Sequence, residues 1–224
     1  HGQPVVLIGE RGQGKSHLLA ALYHGFNSPE VTTEWLKAWG IRLGQPKLAE
    51  IKLRPKTLVV SESLHRQNYK FLWDLLFERH PHGAYIKGKW EAQGDKKTDI
   101  PGDKLLVELF KHTPTALVLD EFQTWYDGLT NTKQYPWKTW AFNFIQLLSE
   151  IAKEHPELLV LVVSVRNGET EAYQQVHRVN PRQIDFKGPN ARRDRLRLLL
   201  HRLFDNRMNV QSAQIEAAIE KHVS

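Results

Sequence analysis

The sequence predicts an α/β fold in which helices cover both faces of a parallel sheet. Short apolar runs alternate along the chain with segments of helical spacing, and the runs contain few polar residues. Strands buried on both faces are apolar throughout, because the crossover helices of a parallel sheet shield them from water. Of the 224 residues, 41% are hydrophobic and 25% are charged, which is the balance of a globular domain with a sizeable core.

Two strand and helix pairs are predicted in the first part of the chain. Val5–Ile8 is an apolar, β-branched run closed by a glycine-rich turn, and residues 16–26 follow with helical spacing. Residues 57–61 form a second apolar run. The helical pattern after it places five apolar residues on one face: Leu64, Phe71, Leu72, Leu75 and Leu76.

Residues 80–102 are interpreted as a surface insertion, because glycines and two prolines interrupt the pattern too often for a regular element. Aromatic and basic side chains are mixed in this segment, as they are in proteins that bind single-stranded nucleic acid. A plain surface loop is the alternative. The residues concerned are Tyr85, Lys87, Lys89, Trp90, Lys96 and Lys97.

The second half of the chain continues the alternation. Helices are predicted at residues 104–111, 140–152 and 191–204, and strands at 116–119, 158–163 and, weakly, 183–186. We interpret residues 1–206 as the core and residues 207–224 as the start of a truncated helical lid or a linker. The abrupt beginning and end suggest a fragment of a larger protein.

A glycine-rich segment between the first strand and helix fits the phosphate-loop pattern G-x-x-x-x-G-K-[ST]. Glycines allow successive backbone N–H groups to turn towards phosphates, and the helix amino terminus adds a favourable dipole. We expect Lys15 to reach the β and γ phosphates and Ser16 to ligate Mg²⁺; a chance match is the alternative. The predicted nucleotide-binding residues are Gly9, Glu10, Arg11, Gly12, Gln13, Gly14, Lys15, Ser16 and His17.

Two carboxylates follow the apolar run at residues 117–119, as expected of a Walker B strand. Asp120 is expected to hold Mg²⁺ directly or through water. Glu121 is expected to orient and deprotonate the water that attacks the γ phosphate. A solvated acidic turn is the alternative, but together with the phosphate loop the pair predicts ATP hydrolysis.

Polar residues also follow the strand predicted at 158–163, where ligands of open α/β sheets lie. We predict that the Asn167 amide senses the γ phosphate and the attacking water. The alternatives are a turn before Gly168 and a contact from Arg166 instead. Six arginines near the last helix are candidates for an arginine finger, although a solvated helix face is the more common reason for such a cluster: Arg192, Arg193, Arg195, Arg197, Arg202 and Arg207.

The formal net charge of +6 leaves nucleic-acid contact open. The absence of cysteine excludes disulfides and thiolate metal sites. No export segment or long apolar stretch is present, so we expect a cytoplasmic location and no membrane contact. A small-molecule kinase stays an alternative because of the clustered arginines, and the missing N-K-x-D signature disfavours a GTPase.

The order of these motifs resembles the P-loop ATPases of the additional-strand class, in particular the AAA+ and origin-recognition-like branch. In that class a sensor asparagine ends the strand after Walker B, and the match falls on Asn167. The resemblance implies ATP and Mg²⁺ as ligands, flanking domains, and homo- or hetero-oligomeric partners. It further implies a module that couples hydrolysis to remodelling of DNA or a protein complex. The alternative is a slow regulatory nucleotide switch that serves as an assembly platform.

Several short sequence segments resemble a more specific group of proteins. Residues 14–17, residues 20–24 and residues 101–105 ahead of Asp120 and Glu121 resemble large prokaryotic ATPases associated with anti-phage genes, such as the PglY group of BREX systems. That resemblance implies a phage-defence or DNA-modification setting and leaves the substrate undefined.

Overall fold

The computed structural model describes residues 2–10, 12–66, 69–166 and 180–186, together with Ala217. Its strands form one five-stranded parallel sheet with the order β2-β3-β4-β1-β5. The strands are β1 (Val5–Ile8), β2 (Leu58–Ser63), β3 (Thr115–Asp120), β4 (Leu159–Val165) and β5 (Arg182–Asp185). The predicted α/β class with a parallel sheet is confirmed.

The described ranges contain seven α-helices and three short 3-10 turns. The helices are α1 (Lys15–Asn27), α2 (Pro29–Arg42), α3 (Leu72–Arg79), α4 (Gly83–Glu91), α5 (Asp103–His112), α6 (Phe122–Asp127) and α7 (Trp137–Glu154). The 3-10 turns are Pro46–Glu50, Leu64–Arg66 and Gly94–Lys96. Within these ranges, none of the helices combines the length and the apolar character needed to cross a membrane.

Helices cover both faces of the sheet. Successive side chains of a strand point to opposite faces, and on β4 Leu161 and Val163 join a large apolar cluster whereas Val162 joins a smaller one. The large cluster includes side chains of α3, α5 and α7, and the smaller one includes Leu19 of α1. The two-sided burial explains why the three inner strands β1, β3 and β4 are mainly apolar, whereas the edge strands β2 and β5 contain more polar residues.

The sheet order places two separate loops at the same edge. Because all five strands are parallel, the turn after β1 and the end of β3 both lie at the carboxyl edge, where ligands of open α/β sheets bind. β4 lies between these strands: Ile8 pairs with Val165, and Leu119 pairs with Val163. Residues distant in sequence are thus brought together across one intervening strand.

Residues 80–102 contain a regular element, so the prediction that none forms there is wrong. Helix α4 lies within them, and its Ile86 and Trp90, one turn apart, are buried in the large cluster. Gly83 begins the helix where the backbone packs closely, since a Cβ on it would lie 2.2 Å from Phe77 O. The glycine that interrupts the sequence pattern is required by this packing.

The aromatic and basic side chains of this segment are largely engaged within the fold. Trp90 donates its indole N–H to Thr98 O at 3.1 Å, and Lys97 Nζ lies 4.5 Å from the centre of its ring. Lys89 forms an ion pair with Glu108 at 2.6 Å. These contacts favour a structural role over a surface for stacking bases, because the Trp90 ring is buried.

Two further details differ from the prediction. The helical pattern that starts at Leu64 is divided into the 3-10 turn Leu64–Arg66 and α3, which begins at Leu72. Helix α2 was not predicted. It buries only Pro29 and Gly40, so its sequence lacks the apolar stripe by which a helix is recognised. The helix predicted at 191–204 and the lid or linker at 207–224 lie outside the described residues, apart from the helical Ala217.

Candidate functional site

The turn between β1 and α1 depends on glycine. Gly12 and Gly14 have φ angles of 80° and 99°, a region that disfavours residues with a Cβ. At Gly9 a Cβ would lie 2.7 Å from Gln13 Oε1 and 2.9 Å from the Phe186 Cβ. Gln13 Oε1 accepts a hydrogen bond from Glu10 N at 2.9 Å, which closes the loop on itself. Among the predicted loop residues, Arg11 lies outside the described ones.

Lys15 is the first residue of α1 and points back into the loop. Its side chain is 5% exposed, and its Nζ donates to Gly9 O at 2.5 Å and to Glu10 O at 3.1 Å. Burial lowers the pKa of the Lys15 ammonium, while the nearby carboxylates of Glu121 and Asp120 act in the opposite direction. The carbonyl oxygens that bind this desolvated ammonium are neutral, and hydrogen bonds from a cation to negatively charged phosphate oxygens are stronger. The ammonium can therefore exchange the carbonyls for phosphate oxygens.

Ser16 and Asp120 meet at the edge of the sheet, although 104 positions separate them in sequence. Ser16 Oγ donates to Asp120 Oδ2 at 3.1 Å. A hydroxyl and a carboxylate are hard oxygen ligands, and Mg²⁺ commonly takes only one or two protein ligands beside waters and phosphate oxygens. In the described part of the chain no group of three or more His, Asp or Glu side chains could hold a metal by itself. The pair therefore fits Mg²⁺ bound together with a nucleotide.

Ser164 of β4 orients the Asp120 carboxylate. Its fully buried hydroxyl donates to Asp120 Oδ1 and accepts a hydrogen bond from Glu121 N at 3.0 Å. Glu121 N also lies 3.0 Å from Asp120 Oδ1. From the sequence, Asn167 was predicted instead of Ser164; the signal for Ser164 is a hydroxyl in an otherwise apolar strand.

Glu121 occupies a strained position between β3 and α6. Its backbone is left-handed, with φ 54° and ψ 34°, which costs a residue other than glycine about 1–3 kcal/mol. Its Oε2 accepts a hydrogen bond from Thr124 Oγ1 at 2.9 Å and lies 3.9 Å from Arg166 Nε. The sharp turn separates the Glu121 side chain from that of Asp120 and gives the two carboxylates different partners.

Arg166, the alternative to Asn167, lies beside Glu121. Its N donates to Gln123 Oε1 at 3.0 Å, and no hydrogen-bond acceptor among the described residues reaches its buried Nε. His17 lies in the first turn of α1, with an exposed side chain. Asn167 and all six candidate arginine-finger residues lie outside the described residues.

The Ser164 hydrogen bond is testable through stability. Ser164→Ala removes the hydroxyl that contacts a carboxylate, and bonds to charged groups contribute about 1.5–3 kcal/mol. We expect urea denaturation to show a loss of that size in the free energy of unfolding. Ser149→Ala is the matched control, since this buried hydroxyl donates to the neutral Ile145 O at 2.7 Å and should contribute about 0.5–1.5 kcal/mol. Equal losses would contradict the special role of Ser164.

A comparison of the chain with models of known protein families finds no match, and a comparison with curated proteins also finds none. The function is therefore inferred from the residues and geometry of the site.

Proposed function

We propose that this chain binds ATP with Mg²⁺ and hydrolyses the ATP, as a P-loop ATPase of the additional-strand, AAA+-like class. The hydrogen bond between Ser16 and Asp120 carries the proposal, because it joins the glycine-rich loop to the acidic strand end at 3.1 Å. These are the two residues predicted from sequence to hold the metal. A chance match to either motif would not explain why their side chains meet.

The order of the strands supports the class. β4 lies between β1, which carries the loop, and β3, which carries the carboxylates. This is the arrangement expected if β4 is the additional strand of that class. Its end carries Ser164, which contacts Asp120, and Arg166, which lies near Glu121.

Each residue of the site has a separate part in the proposed reaction. The loop N–H groups and Lys15 bind the phosphates, and Ser16 and Asp120 hold Mg²⁺, which when bound neutralises charge on phosphate oxygens. Glu121 accepts the proton of the attacking water. The Thr124 hydroxyl occupies one acceptor site of Oε2 at 2.9 Å, so loss of that hydrogen bond would leave both carboxylate oxygens to the water.

We further propose that the chain is a module of a larger protein and couples hydrolysis to remodelling of DNA or a protein complex. The resemblance to anti-phage ATPases supports a phage-defence or DNA-modification setting in a prokaryotic cytoplasm. Flanking domains and oligomeric partners would then complete the site. The net charge of +6 agrees with a polyanionic partner such as nucleic acid.

A slow nucleotide switch is the second candidate function. The observation that favours it is the engagement of the Glu121 carboxylate by Thr124 and Arg166, which holds the base away from water. Turnover kinetics separate the two candidates. A motor releases product and hydrolyses ATP steadily, whereas a switch completes one slow turnover and retains ADP.

Metal dependence tests the proposed site. Ser16→Ala should lower ATP affinity about tenfold in the presence of Mg²⁺ and leave it nearly unchanged with EDTA, because only the metal contact is lost. Titration calorimetry under both conditions measures the difference. Ser28→Ala, just after the other end of α1, is the control and should change neither value. Equal affinity of wild type and Ser16→Ala with Mg²⁺ would remove Ser16 as a metal ligand.

A further inference from the structure

A pocket outside the proposed nucleotide site lies next to Glu121, on the side of Thr124. It has a volume of about 490 Å³ and lies between the segment after β2, helix α6 and the start of α7. We call it the Lys70 pocket, after the lysine in its wall. Its lining includes His65, Tyr69, Lys70, Thr124, Trp125 and Trp137. Its volume falls in the range of small-ligand sites.

The Lys70 pocket has a basic and donor-rich lining. Lys70 and His65 contribute nitrogen groups, Thr124 and Thr130 contribute hydroxyls, and none of the described lining residues is an acid. Two carboxylates outside the lining accept hydrogen bonds from lining residues: Glu121 from Thr124 Oγ1 at 2.9 Å and Glu78 from Tyr69 Oη at 3.5 Å. This distribution favours an anionic ligand that accepts hydrogen bonds.

One lining residue has a buried donor for which the described residues provide no acceptor. Trp137 Nε1 is buried, and none of the described residues accepts a hydrogen bond from it, whereas the neighbouring Trp125 Nε1 donates to Tyr69 O at 2.8 Å. Trp137 is a lining residue, so a ligand that displaces the edge of its ring and accepts from Nε1 gains a hydrogen bond that the free protein lacks.

The same lining is aromatic. Tyr69 and Trp137, both partly exposed, line the pocket together with the buried Trp125 ring, and Lys70 Nζ lies 5.9 Å from the centre of the Trp137 ring. A nucleobase stacks favourably on a partly exposed aromatic side chain, and a lysine next to the ring can bind the attached phosphate. We propose that the Lys70 pocket binds one nucleotide unit, with its phosphate at Lys70 and its base against the aromatic wall.

The pocket also connects to the proposed catalytic base. Thr124 lines it, and the Thr124 hydroxyl donates to Glu121 Oε2 at 2.9 Å. A phosphate that accepts the Thr124 proton removes this hydrogen bond from Glu121 and leaves its carboxylate free to take a proton from water. Occupation of the pocket should therefore increase ATP hydrolysis. This step rests on the proposed function, whereas binding to the pocket does not.

Binding is tested with fluorescently labelled oligothymidylate by anisotropy. Lys70→Glu should weaken binding at least tenfold, because it reverses the charge of the phosphate contact. Trp137→Phe keeps an aromatic ring but removes the N–H and should weaken binding severalfold. Lys104→Glu, an exposed position on α5 away from the pocket, carries the same charge change and is the control.

Thymidine monophosphate then distinguishes the two sources of a nucleotide. If thymidine monophosphate displaces the labelled oligothymidylate, the pocket is assigned to a free nucleotide. If the oligothymidylate binds and the mononucleotide does not displace it, the pocket is assigned to a single strand. Both results support the proposal. Absence of oligonucleotide and mononucleotide binding, or equal weakening by Lys70→Glu and Lys104→Glu, overturns it, since equal weakening would indicate diffuse electrostatic attraction.

The connection to Glu121 is tested separately through ATP turnover. Saturating oligothymidylate or thymidine monophosphate, whichever binds, should raise the turnover of wild type severalfold and leave that of Thr124→Val unchanged. Wild type that hydrolyses ATP at the same rate with the pocket filled overturns the connection. Wild type that binds the ligand without any ATP hydrolysis contradicts the proposed function and leaves the binding site in place.

Discussion

Replacement of Glu121 by glutamine is expected to lower steady-state ATP turnover by about 100- to 10,000-fold while ATP binding is retained, the usual effect of losing a general base. Glutamine keeps the size of the side chain and can still accept the Thr124 hydrogen bond at the position of Oε2. The left-handed backbone at residue 121 is compatible with either side chain to the same degree, so the fold should not change. Phosphate release and calorimetric ATP affinity are the two measurements.

Two variants serve as comparisons for Glu121→Gln. Asp127→Asn is the control, because it also removes one carboxylate charge near the site, at the exposed end of α6. This variant should keep full turnover. Asp120→Asn should instead weaken the Mg²⁺-dependent binding, because Asp120 is the residue that contacts Ser16. Normal turnover in Glu121→Gln together with lost turnover in Asp120→Asn would show that the assigned roles are wrong.

Lys15→Ala is expected to lower ATP affinity about ten- to a hundredfold, because a charge-assisted contact contributes about 1.5–3 kcal/mol. Lys15 is only 5% exposed, so its ammonium lies inside the loop. In the alanine variant, few water molecules could enter the loop to solvate a bound phosphate in place of the ammonium. Equilibrium dialysis with labelled ATP gives the affinity.

The control for Lys15→Ala is Lys104→Ala, which removes one exposed lysine on α5, outside the loop, and should leave the ATP affinity unchanged. The unfolding transition of Lys15→Ala should stay cooperative, since only contacts to the carbonyls of Gly9 and Glu10 are lost. A folded Lys15→Ala protein with the affinity of wild type would remove the phosphate-loop assignment.

The sheet could be predicted well from the sequence, because most of its strands are recognisable from the residues within each strand. Four of the five strands overlap an apolar run, and the loop of β1 and α1 is determined by neighbouring glycines and a lysine. The fifth, β5, overlaps the strand that was predicted only weakly at 183–186, and its residues are exposed and mostly polar. The predicted proximity of Ser16 and Asp120 also holds, because parallel strands bring their carboxyl ends to one edge.

The parts that sequence missed depend on long-range packing. Ser164 acts on Asp120 from a position 44 residues away, and Gln123 binds the Arg166 N–H across 43 residues, so neither contact leaves a local pattern. Helix α4 was missed because Gly83 and Gly88 suggest a break; tertiary burial of Ile86 and Trp90 outweighs that low propensity. The assignments of Asn167 and Arg11 stay predictions, since both residues lie outside the described ones.

A single-turnover experiment tests the central claim most directly. The wild-type chain, in excess over labelled ATP and with Mg²⁺ present, is quenched at successive times, and the bound nucleotide is identified. The proposed site predicts that ATP is bound and converted to ADP and phosphate in wild type, and that the ATP bound to Glu121→Gln stays intact far longer. Failure of the folded wild-type chain to retain ATP, or recovery of its bound ATP unchanged after the longest incubation, would contradict the account.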